Sequence, residues 1–217
     1  MDEQAAPRKG NVLKVADAPF SSTPSANDIV ASPASRGMGF SLVELMVVIS
    51  VTAILLMVAV PVFSNLIAHN ELAVATNAAR GSLMFAREAA VVKGQPVSLC
   101  AGEPMTGCNG DWAAGEWLVF RDSNHSGNLD AGEAVLQHGV VPGAGKQVAV
   151  SGNGPLRSAL VYMPLGHAER SSGAFGAGRL RLCVEQGVVP NARELVISAS
   201  GRVRMQRVDL GGACPSL

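Results

Sequence analysis

Glu44 is the single charge in the run from Phe40 to Phe63, FSLVELMVVISVTAILLMVAVPVF. A carboxylate in a membrane span costs about 2.5–3.5 kcal/mol on insertion scales, so it calls for a cationic partner or a route to the interface. A second cluster begins at Asp122. Asp122, Asn124, Ser126, Gly127, Asp130 and Glu133 fall at positions 1, 3, 5, 6, 9 and 12 of the EF-hand loop template, and all but the glycine offer hard oxygens. The flanks disagree with that template, because Trp117–Phe120 reads as a strand rather than a helix. Oxygen-rich Gly/Asn segments are also ordinary hairpin loops. The expectation is therefore no metal or other cofactor, with calcium at Asp122, Asn124, Ser126, Asp130 and Glu133 as the alternative.

A third group is basic. Residues 179–207 hold six bases (Arg179, Arg181, Arg193, Arg202, Arg204, Arg207) and two acids, Glu185 and Glu194. Residues 94–140 hold six acids (Glu103, Asp111, Glu116, Asp122, Asp130, Glu133) and one base, Arg121. Arginine makes bidentate contacts to phosphate, and period-two alternation lets Arg202, Arg204 and Arg181 share a strand face. The competing reading is a solvated edge strand guarded by charge.

Catalysis finds little support, and no catalytic residues are expected. His69, His125, His138 and His167 form no H-E-x-x-H pair, and none sits in a nucleophile–base pattern. Gly143-Ala144-Gly145-Lys146-Gln147 lacks the first glycine of a phosphate loop, and Gln147 stands where Ser or Thr would hold magnesium. Trp112 and Trp117 read as core or interface anchors.

The elements that position these groups follow from composition and period. The chain has 217 residues, 17 Lys+Arg, 17 Asp+Glu and 48% hydrophobic residues. That apolar share excludes a disordered protein, and zero net charge argues against wholesale polyanion binding. Residues 1–39 carry Pro7, Pro19, Pro24 and Pro33 and no hydrophobic period, so they read as a disordered segment outside the fold. The apolar run is long enough to cross a bilayer as helix, which needs roughly 20 residues. Nothing stops a helix over Phe40–Lys93 except Pro61, where a kink or local melting is expected. Beyond it Ile67, Val74, Ala78, Phe85 and Ala89 fall on one face, with Asn70, Asn77, Arg80 and Arg87 elsewhere. Gly94 and Pro96 end the helix.

From Gln95 onward, β-branched runs alternate with turn residues: Pro96–Ala101, Trp117–Arg121, Ala134–Val140, Gln147–Val150, Leu160–Met163, Arg179–Val184, Glu194–Ser198 and Val203–Val208. They predict an antiparallel sheet or two small sheets with the helix across one face, an α+β fold. The expected organisation is a 1–39 leader, a membrane-spanning or filament-core helix over 40–63, an amphipathic half over 64–94 and a β-rich head over 95–217. Cys100, Cys108, Cys183 and Cys214 all follow the span, as disulfides in an oxidising compartment would. Of the three pairings open to them, the favoured one joins Cys100 to Cys108 across a Gly/Pro turn and Cys183 to Cys214. Paired C-x-x-C elements are missing, so zinc is not expected.

Gly39-Phe40-Ser41-Leu42-Val43-Glu44-Leu45 resembles the processing site of type IV pilins and type II secretion pseudopilins. The resemblance implies that a prepilin peptidase cuts after Gly39, removing the leader, and N-methylates Phe40. It also implies that Glu44 pairs with the free Phe40 amine of a neighbouring subunit, which offsets part of its desolvation and sets axial register. A proline about as far along as Pro61 is common in that family. The leader here is longer than the short basic leader of typical members, but the Gly39–Phe40 junction is unaffected by where translation starts.

Cys100…Cys108…Trp112…Gly115…Trp117-Leu118-Val119-Phe120-Arg121-Asp122 is similar to the GspH/FimT group of minor pseudopilins. So is Leu195-Val196-Ile197-Ser198…Ser200-Gly201-Arg202-Val203-Arg204, and the likeness covers about residues 37–214. It implies a structural subunit, not an enzyme, with a single pass through the bacterial inner membrane and a periplasmic head. Such a subunit partners other pilins or pseudopilins in a secretion pseudopilus or pilus. In the FimT branch a Gly-Arg-x-Arg tail accompanies DNA binding in transformation, which Gly201-Arg202-Val203-Arg204 matches. On that alternative DNA would be a partner held by Arg202, Arg204 and Arg207.

Overall fold

Ser41 sets the start of the helix. Its carbonyl accepts from the Leu45 N–H at 3.1 Å, and its hydroxyl lies 3.5 Å from the Glu44 N–H, so it stands at the N-cap with Glu44 at the third helical position. The computed structural model describes residues 39–185 and 188–217. The expected leader lies outside the described residues, apart from Gly39. The chain divides into two units, Met1–Leu45 and Met46–Leu217. The first is described only over residues 39–45, where Gly39, Phe40 and Ser41 lead into the helix.

Helix α1 runs from Leu42 to Lys93 without interruption. The local melting expected at Pro61 does not occur. Proline removes only its own donor, leaving one carbonyl four residues earlier without a helical partner. One turn further on, the Ser64 hydroxyl donates to the Pro61 carbonyl at 2.9 Å. The buried face of α1 also differs from the expected one. Leu72, Ala75, Ala79, Leu83, Ala86 and Ala90 are buried, whereas Ile67 and Val74 are 56% and 46% exposed and Ala78 and Phe85 only half-buried. Alanines let the sheet come close to the helix axis, and that proximity outweighs side-chain size in choosing the face. Ala89 alone of the expected residues is fully inside.

The strands are β1 (Val97–Glu103), β2 (Gly107–Cys108), β3 (Glu116–Arg121), β4 (Val135–Val140), β5 (Ala149–Gly152), β6 (Ala159–Tyr162), β7 (Ala168–Glu169), β8 (Gly178–Cys183), β9 (Ala192–Ile197) and β10 (Val203–Val208). They build two sheets of antiparallel pairs: β4-β3-β1-β6-β7, with β2 on β1, and β10-β9-β8-β5. With α1 they make the α+β architecture expected from the sequence.

Alternation sorts the residues of the first sheet. Val97, Leu99, Ala101, Trp117, Val119, Leu160 and Tyr162 join Leu72, Leu83 and the helix alanines in one core. Cys100, Leu118, Phe120 and Ala159 point the other way, forming a small second core with Cys108 and Leu129. Each fully buried Leu or Phe adds about 1.5–3 kcal/mol. The loop containing Leu129 is thereby a cover for the outer face of the sheet. Trp112 and Trp117 are both buried, and the Trp112 indole N–H donates to the Leu156 carbonyl at 2.7 Å.

Candidate functional site

Gly39 and Phe40 are exposed ahead of α1, Phe40 at 84%. Glu44 occupies the first helical turn, where a carboxylate also complements the positive end of the helix dipole. From Leu42 to Ile67 nearly every α1 residue is exposed, including Met57 at 80%. By length and composition α1 can cross a membrane.

The oxygen-rich loop folds on itself. The Asp122 carboxylate is buried and accepts from the Ser98 hydroxyl at 2.6 Å and from the Ser126 and Gly127 N–H groups at 2.9 Å each. Asp130 accepts from the Asn124 amide at 2.9 Å and the Ser126 hydroxyl at 2.8 Å. These hydrogen bonds hold its carboxyl below the usual carboxylate range. Glu133 accepts from the Ser123 and Asp130 N–H groups. The residues matched to the calcium template are thus brought together, and their side chains organise the loop's own backbone. Among the described residues, no three His, Cys, Asp or Glu side chains are gathered as a metal site requires. The imidazoles of His125, within this loop, and of His167 approach opposite oxygens of Glu169 at 3.5 and 2.9 Å. The histidine spacing gave no signal of that cluster.

Disulfides join Cys100 to Cys108 and Cys183 to Cys214. The second draws the C-terminal tail across β8. The tail carbonyls of Ala213, Pro215 and Leu217 accept from Asn191, Arg181 and Arg157 respectively.

The arginines separate by strand parity. In the β8-β9-β10 register, Arg179 faces Val196 and Val196 faces Arg204, while Arg181 faces Glu194 and Glu194 faces Gln206. These residues share the outer sheet face. Arg202 and Arg204 are exposed and, with Val196, Ser198 and Ser200, line a cavity of about 310 Å³. Neither has a carboxylate within salt-bridge distance among the described residues. Arg181 lies on the same face, as expected, but is half-buried against Glu194 and under the tail. Arg207 must be separated from Arg204. It stands opposite Arg193 on the other face of the sheet, because an odd residue spacing along a strand reverses the side.

Gly201 opens this motif for a backbone reason. It has φ +74°, and a Cβ there would run into the Gly166 carbonyl. Arg87, expected on the free surface of the helix, donates to that same carbonyl at 2.8 Å and to the Ser200 carbonyl at 3.4 Å. The turn before Arg202 is therefore clamped to α1.

A long helix, apolar in its first half and packed under two antiparallel sheets in its second, is a pilin architecture. The profile of the family described as Type II transport protein GspH matches residues 75–201, more than half of the chain, and the chain belongs to that family of minor pilins and pseudopilins. Its structure is similar to the type IV minor pilin FimU of Pseudomonas aeruginosa, at 18% identity, 64% coverage of this chain, 90% of that chain and a TM-score of 0.47. It is also similar to the minor pseudopilin EpsH from the Type 2 Secretion System of Vibrio cholerae, at 11% identity, 63% and 97% coverage and a TM-score of 0.44. No curated protein matches the sequence.

Proposed function

We propose that this chain is a structural subunit, not an enzyme, of a type II secretion pseudopilus or a type IV pilus. In this reading a prepilin peptidase cuts between Gly39 and Phe40, and the apolar half of α1 holds the subunit in the bacterial inner membrane with its head in the periplasm. The same helix half then packs among neighbouring subunits in the filament. The free Phe40 ammonium of one subunit pairs with Glu44 of the next. The observation that carries the reading is the exposed, predominantly apolar surface of α1 over residues 42–67, in which Glu44 is the single charge. Such a surface is stable only in lipid or against other helices. The test is assembly: Glu44→Ala should enter sheared, sedimented filaments far less than wild type at equal cellular level. Equal entry would defeat the pairing.

A second reading, DNA capture during transformation, is favoured by one observation: Arg202 and Arg204 are exposed and, among the described residues, have no carboxylate within salt-bridge distance. Replacing both by Ala should flatten the dependence of log K on log salt by roughly 0.7–0.9 per lost phosphate contact. Deletion of the gene, scored separately for secretion and DNA uptake, separates the two readings. Wild-type protein with no salt-dependent DNA binding would end the second.

A further inference from the structure

Arg193 and Arg207 are direct cross-strand partners on β9 and β10. Like charges so placed repel, and a sheet normally avoids the arrangement. Here no compensating acid is present: among the described residues neither guanidinium has a carboxylate within salt-bridge distance or a side-chain hydrogen bond. The two arginines, with His69 of α1 and Pro190, line a cavity of about 250 Å³. Burial and then the charge of Arg207 push the Arg193 pKa down, as expected of cations gathered without an anion.

The position of this pocket narrows the ligand. His69 follows Phe63, the last residue of the apolar run, by six residues, or about 9 Å along the helix. A bilayer is about 30 Å thick in hydrocarbon and about 40–45 Å with headgroups, so its phosphates lie several Å beyond the apolar zone. The rim is apolar. Leu66, one turn before His69 on the same helix face, is 62% exposed, and Val189, beside Pro190, is 70% exposed.

We propose that His69, Arg193 and Arg207 bind the phosphate of an anionic phospholipid at the bilayer-facing end of the head. The arginine forks grip the phosphate oxygens, the imidazole supplies a further N–H donor, and Leu66 and Val189 rest at the acyl boundary. The proposal rests on the reading of Phe40–Phe63 as a membrane span. It gives that span a second anchor, which fixes the height of the head above the bilayer before the subunit leaves for the filament.

The test uses the full chain in neutral detergent, offered equal amounts of phosphatidylglycerol and phosphatidylcholine and weighed intact with its bound lipid. Wild type should retain phosphatidylglycerol preferentially. Arg207→Gln and Arg193→Gln should each weaken that retention by about tenfold, the effect of losing roughly one charge-assisted contact. Arg204→Gln, on the opposite sheet face, should leave it unchanged. Melting curves of each variant report folding, and the wild-type preference stands as a test on its own. No preference for phosphatidylglycerol, an equal loss in Arg204→Gln, or displacement of the lipid by millimolar inorganic phosphate or by a short DNA duplex would overturn the proposal. Retention of the wild-type chain in pure phosphatidylcholine nanodiscs tests the span separately, so a failed anchor and a failed span are distinguishable.

Discussion

Arg181 grips Glu194 across β8 and β9, donating from Nε and Nη2 to a single carboxylate oxygen at 2.9 and 2.7 Å. Glu194 is 2% exposed, and its other oxygen accepts from the Gln206 amide at 2.8 Å. The network ties three strands of the second sheet and holds Arg181 beneath the C-terminal tail. Glu194→Ala should lower stability by about 3–5 kcal/mol, because it strands a half-buried guanidinium. Denaturant unfolding of the oxidised protein checks this.

The same carboxylate sets an acid limit. Burial pushes the Glu194 pKa up, but hydrogen bonds from Arg181 and Gln206 and the charges of Arg181 and Arg179 outweigh burial and hold it below 4.5. A depressed folded pKa adds stability above the unfolded value and loses it as pH falls through the folded value. Tm should therefore change little through Glu194 above pH 4.5 and fall below it, with that component missing in Glu194→Gln.

The two disulfides close loops of different length, with sequence separations of 8 and 31. Chain entropy then assigns about 2.5 kcal/mol to Cys100–Cys108 and about 3.7 kcal/mol to Cys183–Cys214. Replacing Cys183 and Cys214 together by Ser should lower stability more than replacing Cys100 and Cys108. The reverse order would mean that loop length does not govern their effect.

Asp122 supports the cover over the second small core. Asp122→Ala leaves the Ser98, Ser126 and Gly127 donors without their acceptor and should cost about 3 kcal/mol. Asp122→Asn should recover part of that loss. Proteolysis should open the 122–133 loop first in the alanine variant.

Much of the fold was legible because runs of β-branched residues between glycines carry period two, and each of the eight expected strands overlaps an observed one. The two-residue strands β2 and β7 carry no period to detect. The helix face was misplaced because size favoured Ile67 and Val74, whereas the sheet sits on Ala75, Ala79, Ala86 and Ala90. Ala86→Leu should accordingly destabilise by about 1–3 kcal/mol through overpacking, and Val74→Ser should change stability by less than about 0.5 kcal/mol. Thermal unfolding of the two variants decides which face is buried. At the basic surface, parity alone separates Arg204 from Arg207. Pairing of Arg181 with Glu194 needs the cross-strand register, which no single strand reveals.

The most direct test of the pilin reading is the intact mass and N-terminal sequence of the protein recovered from membranes. A chain beginning at Phe40 and carrying one added methyl group on its terminal nitrogen is the predicted result. A mature chain beginning at any other residue, or one that retains residues before Phe40, would contradict it.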